Sequence, residues 1–465
     1  MGQALTRRRF LALGAGAAVM GLLAACGGAA PEPTAKPAGQ PAAGAQTPSS
    51  GQAPAAKPAA AKKDVSLRVI TRAGVYGEHT REFAKRYGEE KGVKVELEEI
   101  EWGDLPKKIE TQLVANDLAD VVVISQQNWP NLAVKGTFLP IDDLVKASPP
   151  PNFEDYPDLE WQRMWTDGKL TGLPGEAGLT HSVTWYNKTV LQEVGGKIPT
   201  NDWTMDEYTQ MVELVCSKKP GLLGGGCAMG ANNNADAWLR NWGRWVLDPT
   251  RKRVELTHPK TLDGIKWLVD MVKRKLWVSR MDTQGTSTTA LFGAGKLFSF
   301  TNQPAEFASV DTAVNGKFEV GAVIVPKGAS TTENPPRRGF GPYANRHAAW
   351  AKTRFPEDAY GVLVKITGYE CMKWMVMKTG KQPGILTAWR DPEILAKRPL
   401  FKDIADLMAK CTDVFPVPWN TRYQEFVDRG DNELQAIEFG EKPYSVDAIA
   451  EIERKLQEIV NLPRP

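Results

Sequence analysis

The chain of 465 residues is too long for one ordinary hydrophobic core, so its length predicts two or three folding units. Its composition, 42% hydrophobic and 24% charged, is typical of a soluble globular protein. The formal charge of +3 becomes −3 when residues 1–63 are left out, because they hold seven basic residues and one acidic residue. This balance argues against a nucleic-acid binder that works through bulk charge.

The N-terminus predicts export and lipid anchoring. Thr6–Leu11 (TRRRFL) matches the twin-arginine export pattern, and the apolar run Phe10–Ala25 is short for a spanning helix. The run ends in Leu23–Cys26 (LAAC), which looks like a bacterial lipobox. We therefore expect residues 1–25 to be a signal peptide and Cys26 to carry lipid at the outer face of the cytoplasmic membrane, since two or more acyl chains anchor stably. The alternative is a plain signal-anchor helix with an incidental cysteine.

Residues 26–63 predict a disordered tether. They are mostly Ala, Pro, Gly, Gln, Ser and Lys, without a large apolar side chain to offset the entropy of ordering. As a flexible coil, Gly27–Lys63 would span about 30–35 Å. Such a segment would keep the folded body at the membrane while it searches for a partner on the same surface.

Four cysteines remain after the lipobox, and an oxidising compartment makes disulfides possible. Cys216 and Cys227 flank a glycine-rich loop and predict one disulfide, and Cys371 with Cys411 would form a second. Buried thiols are the alternative for the second pair, because both lie in helical patterns. No histidine or cysteine pair has metal-ligand spacing, so neither metal nor cofactor is expected.

The first part of the body predicts a parallel α/β arrangement. Apolar strands at Leu67–Thr71, Val93–Ile100 and Asp120–Ser125 alternate with helical patterns at Tyr76–Lys91 and Leu105–Asn116. This alternation favours a parallel sheet with right-handed crossovers.

Ligands of such sheets usually bind beyond the carboxyl ends of the strands. The residues that follow the first and third predicted strands are therefore candidate ligand-binding residues. They are Arg72, Tyr76, Gln126, Gln127 and Trp129.

Asp167–Leu191 (DGKLTGLPGEAGLTHSVTWYNKTVL) predicts a strand that stops, bends and restarts. Pro174 and Gly175 interrupt its first apolar run, alternation resumes at Ser182–Tyr186, and a helix begins at Asn187. His181 in this segment is either a cleft residue or a buried neutral histidine.

This segment resembles the "DGK-x-x-G-x-P … YNK-x-x-L-x-x-x-G" segment of the ABC-transporter extracellular solute-binding proteins, family 1. In that family it is the first strand that crosses between two lobes. Gly136–Leu144 (GTFLPIDDL), Leu291–Thr301 and Lys378–Pro383 resemble further family motifs in the same order. The resemblance extends from about Val65 to Leu462.

The resemblance implies an α/β, two-lobed periplasmic-binding-protein fold (type II-like). Each lobe would be a mainly parallel sheet flanked by helices, with three hinge crossings. The second and third crossings would lie at Val320–Pro326 and Thr367–Gly380. Lobe 1 would then comprise 65–177 plus 327–368, and lobe 2 would comprise 178–326 plus 369–465.

The resemblance also implies further ligand-binding residues at the cleft. Asn233 and Trp238 would form a polar and aromatic edge of the second lobe, although most of the tryptophan stripe that follows is expected in the core. Phe340–Tyr343 lacks the usual Gly-Gly-x-Trp form of the family's glycine-rich turn. The remaining candidates that the resemblance implies are Asn302, Tyr343, Trp419 and Tyr423.

The sequence contains no nucleophile elbow, phosphate loop, metal box or dinucleotide fingerprint, so we do not expect an enzyme. The resemblance implies a monomeric, lipid-anchored solute-binding component of an ABC importer, with the permease subunits as partners. Polar strand ends and aromatic faces suit a sugar or oligosaccharide, and only Arg72 would favour an anion. The alternatives are an exported carbohydrate-active enzyme with a spatial carboxylate pair, or a receptor of this fold for a peptide, polyamine or other solute.

Overall fold

The computed structural model describes residues 64–226, 239–243, 246–278, 283, 286–328, 338–339, 341–410, 417–438 and 440–465. Several predictions concern residues outside these ranges. They are the signal peptide, the lipid-bearing Cys26, the tether, Cys227, Asn233, Trp238 and Cys411.

A five-stranded sheet forms the first lobe, in the order β2 (Lys94–Ile100), β1 (Ser66–Arg72), β3 (Val121–Ile124), β12 (Gly341–Ala349) and β6 (Leu173–Thr180). β1 pairs in parallel with β2 and β3, and β12 runs antiparallel between β3 and β6. The strands of the described residues are β1 Ser66–Arg72, β2 Lys94–Ile100, β3 Val121–Ile124, β4 Trp165–Thr166, β5 Lys169–Leu170, β6 Leu173–Thr180, β7 Val183–Asn187, β8 Gly225–Gly226, β9 Trp277–Val278, β10 Ser299–Asn302, β11 Val320–Ile324 and β12 Gly341–Ala349.

Helices cover this sheet because its central strands are apolar on both faces. All four residues of β3 are buried, as are Leu67, Val69 and Ile70 of β1. The helices of the described residues are α1 Glu78–Lys91, α2 Leu105–Val114, α3 Trp129–Val134, α4 Asp142–Ala147, α5 Asp158–Arg163, α6 Lys188–Glu193, α7 Met205–Lys218, α8 Pro259–Lys273, α9 Thr288–Gly293, α10 Phe307–Val314, α11 Pro356–Thr367, α12 Tyr369–Thr379, α13 Leu386–Trp389, α14 Pro392–Lys397, α15 Leu400–Lys410, α16 Tyr423–Glu438 and α17 Val446–Asn461.

A three-stranded sheet, β10-β7-β11, forms the centre of the second lobe. The predicted two-lobed α/β fold is confirmed. The strands of this smaller sheet pair antiparallel, which departs from the parallel order expected for both lobes. β7 lies in the middle of this sheet and runs opposite to both of its partners. The short β8–β9 pair, in contrast, is parallel.

The chain crosses between the two sheets at His181 and Ser182. Thr180 still pairs with Gly341 in the first sheet, and β7 begins at Val183. The backbone turns here with His181 at φ 53°, and the Ser182 hydroxyl donates to Leu179 O at 2.7 Å. The predicted boundary after residue 177 therefore lies a few residues too early in the chain.

The segment Thr367–Gly380, predicted as the third crossing, is largely helix α12 and packs against α1. Trp374 contacts Phe83 edge to face at 6.2 Å, and the Cys371 thiol lies 3.8 Å from His79 O. This helix stays with the first lobe because its apolar face completes the α1 core. In contrast, α16 packs against α8 and α17, whose buried side chains belong to the second lobe.

The thiols of Cys216 and Cys371 are free in this structure. The predicted partners Cys227 and Cys411 lie outside the described residues, so both pairings stay predictions. Cys371 is fully buried against α1, which fits the alternative of a buried thiol.

Candidate functional site

Three strand ends meet at the carboxyl edge of the first sheet, as expected for a parallel arrangement. Arg72 ends β1, Trp102 follows β2, and Gln126 and Gln127 follow β3. Ala73 N donates to Ile100 O at 2.8 Å, which holds the ends of β1 and β2 side by side. Chain segments far apart in sequence thus converge at one place.

The Arg72 guanidinium lies against two aromatic rings at this edge. Its central carbon is 4.7 Å from the centre of the Tyr76 ring and 4.1 Å from that of Trp102. These distances are typical of cation–π contacts. The sequence predicted Arg72 and Tyr76 here but not Trp102, whose position after an alternating strand was the available signal.

A cavity of about 300 Å³ opens beside Trp102, at the lower end of the range for ligand pockets. Its wall combines apolar, aromatic and amide side chains. α16, a helix of the second lobe, closes it with Tyr423 and Gln424. The residues of the first lobe that line it include Trp102, Ile124, Gln127, Asn128 and Asn131.

Behind the edge lies a buried polar cluster centred on Glu176 of β6, which is 2% exposed. The Lys381 ammonium pairs with its Oε1, and the Asn345 amide donates to its Oε2. His79 Nε2 lies 3.4 Å from Glu176 Oε1. Lys381 also donates to Tyr76 O at 3.0 Å, so the cluster supports the residue that stacks on Arg72.

Burial and charge set the protonation of this cluster. Burial lowers the pKa of His79 to about 3, with the Lys381 charge acting in the same direction, and burial lowers the pKa of His347 to about 4. Burial is the largest single influence on the pKa of Glu176 and would raise it, but the charges around it, Lys381 first and Arg72 among them, together with the Lys381 hydrogen bond outweigh burial, and the pKa is lowered. At neutral pH both histidines are therefore neutral, and Glu176 is ionised beside Lys381.

Sequence reasoning did not find this cluster, because its members are separated by up to about 300 positions. The available signal was a glutamate in the otherwise apolar strand β6. Several buried polar atoms around the cluster have no hydrogen-bond partner among the described residues: both ring nitrogens of His347, the Asn345 carbonyl oxygen, the Gln382 amide and Gln126 Nε2.

Two predicted binding tryptophans lie in packed positions instead. Trp129 is 2% exposed and stacks on Phe138 at 4.5 Å, in the core beneath the sheet edge. Trp419 donates from Nε1 to Val460 O at 2.8 Å and packs on α17. The surface of Trp129 is used for packing, which argues against ligand contact there, while Trp419 is half-buried and its role in binding stays a prediction.

The other predicted residues are distributed around the crossing. His181 is buried, and burial lowers its pKa to about 3, in keeping with the neutral-histidine alternative. Asn302 is half-buried at the end of β10, opposite Val183. Tyr343 pairs with Gly178 in the first sheet, and the buried Tyr423 lines the cavity.

One polar contact joins the two lobes directly at this edge. The Tyr76 hydroxyl lies 3.4 Å from the Ser309 hydroxyl of α10. Tyr76 therefore touches Arg72, the buried cluster through its carbonyl, and the second lobe through its hydroxyl.

Within the described residues, no group of histidine, cysteine, aspartate and glutamate side chains is arranged to hold a metal ion. In the same part of the chain, no helix has the length and apolarity to cross a membrane.

A two-lobed α/β fold with a cavity at the edge between its lobes defines the class of solute receptors. A family model described as bacterial extracellular solute-binding protein matches residues 82–345, more than half of the chain. The chain belongs to this family, and it is a solute-binding protein.

Solved structures share the fold at low sequence identity. The GacH receptor of Streptomyces glaucescens, solved unliganded and with acarbose, has a TM-score of 0.73 and 16% identity, over 86% of this chain and 100% of that one. Lmo0181 of Listeria monocytogenes, in complex with cycloalternan, has a TM-score of 0.71 and 17% identity, over 86% and 100%. The sugar-binding protein MalE of Xanthomonas citri has a TM-score of 0.71 and 16% identity, over 85% and 97%. A comparison with curated protein sequences finds no match.

Proposed function

We propose that this protein binds a sugar or oligosaccharide between its two lobes and delivers it to the permease of an ABC importer. The observation that carries the proposal is the cavity at the lobe edge. It combines the aromatic rings of Trp102 and Tyr423 with the amides of Gln127 and Asn131. Rings stack on the apolar faces of sugars, while amides bind hydroxyl groups.

The solved structures that share this fold support a sugar ligand. Three of them were solved in complex with cycloalternan, acarbose and tagatose. Because identity with them is below 20%, they favour a class of ligand and not a particular sugar.

We further propose that the protein is exported and held at the outer face of the cytoplasmic membrane by lipid on Cys26. Residues 26–63 would then tether the folded body, which acts as a monomer. The lipobox-like LAAC sequence supports this proposal. Replacing Cys26 with serine is expected to release the processed protein from the membrane fraction.

Transport by this protein would rest on closure of the lobes over the solute by hinge motion, without catalysis. The short crossing at His181 and Ser182 and the contact between Tyr76 and Ser309 support a hinge and a closed form.

A thermal-shift panel of sugars, polyamines and peptides on the purified protein tests the ligand class. A sugar at 100 times its dissociation constant should stabilise the protein by about 2.7 kcal/mol, which raises the melting temperature measurably. A rise in melting temperature with a polyamine or peptide alone would contradict the proposal of a sugar ligand. Turnover of a bound sugar would instead support the exported enzyme.

A further inference from the structure

The two arginines of β1 differ in their partners. Arg68 donates to Glu98 at 3.1 Å and to Asp117 at 2.7 Å. Arg72, four residues later on the same strand, makes no ion pair or hydrogen bond through its guanidinium with the described residues, and its contacts are the two aromatic faces. Ring stacking leaves the in-plane N–H donors of a guanidinium available.

The charges behind Arg72 do not neutralise it. Lys381 and Glu176 cancel each other as a buried ion pair, and His79 and His347 are neutral at pH 7 because burial lowers the pKa of each. The cluster together with Arg72 therefore carries one excess positive charge. The charge of Arg72 acts on Glu176 at a distance, but Glu176 is already paired with Lys381. A half-buried charge without a hydrogen-bonded counter-ion is costly, and an anion would stabilise it.

The excess charge lies next to the cavity, because Arg72 packs on Trp102 of the cavity wall although it does not itself line the cavity. Trp102 is shared, since it lines the cavity and also packs on Arg72. Among the described residues that line the cavity, Glu110 is the one carboxylate, and it is exposed on α2. The amides of Gln127, Asn128 and Asn131 supply neutral hydrogen-bonding groups beside the cation.

We propose that the transported sugar carries an acidic group, and that Arg72 binds this group while Trp102 and the neighbouring amides bind the sugar. The inference rests on the proposed function and narrows its ligand class. A bidentate contact between a guanidinium and an oxyanion fits one excess charge and a planar donor edge. A uronate carboxylate and a sugar phosphate share this chemistry.

Matched ligand pairs test the proposal by calorimetric titration of the full purified protein. The first pair is a series of oligogalacturonates of one to four units against their methyl esters, which keep the skeleton and remove the charge. The second pair is glucose 6-phosphate against glucose. We expect an acid form to bind at least about 10-fold tighter than its neutral partner, the size of a charge-assisted hydrogen bond. The pair that responds identifies carboxylate or phosphate.

Variants of the two arginines separate binding from a general charge effect. Arg72→Gln should lower the affinity for the acid form at least about 10-fold and change the affinity for the neutral form little. Arg72→Lys should retain part of the affinity for the acid form. Arg68→Gln is the matched control, since it removes one positive charge from the same strand and should leave both forms unaffected. The melting temperature of each variant shows that it is folded. Binding of the acid form should also weaken between low and high salt.

The outcomes distinguish this inference from the proposed function. Neutral sugars that bind as tightly as their acid forms, or an Arg72→Gln variant that keeps the preference, would overturn the acidic-sugar inference alone. Silence across all sugars, charged and neutral, would overturn the proposed function and this inference with it.

Discussion

Trp102 and Trp129 follow β2 and β3, the two strands that flank β1 in the first sheet, yet their surroundings assign them different roles. Trp102 is half-buried, with one side on Arg72 and another on the cavity. Trp129 stacks on Phe138 and leaves no room for a side chain at Gly172. A large aromatic after a strand is therefore not in itself a sign of ligand contact.

Alanine substitution should separate these two roles. Trp129→Ala is expected to lower the free energy of unfolding by about 3–5 kcal/mol, because it leaves a cavity in a packed core. Trp102→Ala should change stability much less and weaken solute binding. Chemical denaturation and ligand titration of both variants measure the difference. Equal losses of stability would place Trp102 in the core as well.

Stability should fall in acid because of His181. Its folded pKa is about 3 and its ordinary value is 6.5, so the unfolded chain binds a proton that the folded protein does not. This contribution is fully present above pH 6.5 and is lost as the pH falls towards 3. Asparagine suits the left-handed backbone at this position. On going from pH 6.5 to pH 4, His181→Asn should therefore lose about 1–3 kcal/mol less of its free energy of unfolding than the wild type. Denaturation of both proteins at the two pH values measures these losses of stability. Equal losses would contradict the assignment to His181.

At the scale of elements, short-range signals located the helices well. Thr204 and Glu207 form the capping box that the sequence predicted at the start of α7. Pro356 begins α11, and Ser445 caps the amphipathic helix α17. α12 was misplaced, because its pattern does not reveal which of two apolar cores it completes.

The capping box of α7 offers a test at this scale. Thr204→Ala should lower the free energy of unfolding by about 1 kcal/mol, since the amide of Glu207 loses its side-chain acceptor. Thr204→Ser keeps a hydroxyl and should be close to the wild type. Thermal denaturation compares the three proteins, and a destabilised serine variant would argue for a role of the threonine methyl group.

At the scale of the whole molecule, the contact between Tyr76 and Ser309 couples the site to lobe closure. Behind it, the segment at Gly380–Gly384 lies between the lobes. Gly384 packs on Gly175 of β6, and Gly380 lies beside Phe307 of α10. The loop that carries Lys381 thus contacts β6 of the first lobe and α10 of the second lobe.

Removing the Tyr76 hydroxyl should favour the open form. Tyr76→Phe keeps the ring against Arg72 and loses one hydrogen bond, so we expect solute affinity to fall about 2- to 10-fold. Ser309→Ala should have the same effect, and the double variant should be no worse than either single one. Small-angle scattering with and without solute measures closure. Additive losses would show that the two hydroxyls act separately.

The sequence by itself determined the class of fold, most strand and helix positions, and the sheet edge at which Arg72 and Gln127 follow their strands. Each depends on local periodicity, capping or strand order, which are written in neighbouring residues. The resemblance in motif order added the two lobes and the family.

Only the tertiary structure decided which side chains face the cavity and which are packed. Glu176 and Lys381 are 205 positions apart, and their pairing depends on how β6 and the loop after α12 are brought together. Trp129 and Trp419 are both large aromatic residues of the kind that bind sugars, but the surrounding core buries Trp129, and Trp419 is half-buried against the second core. The missing partner of Arg72 is likewise a property of the assembled site, because a charge is neutralised by neighbours in space and not by neighbours in sequence.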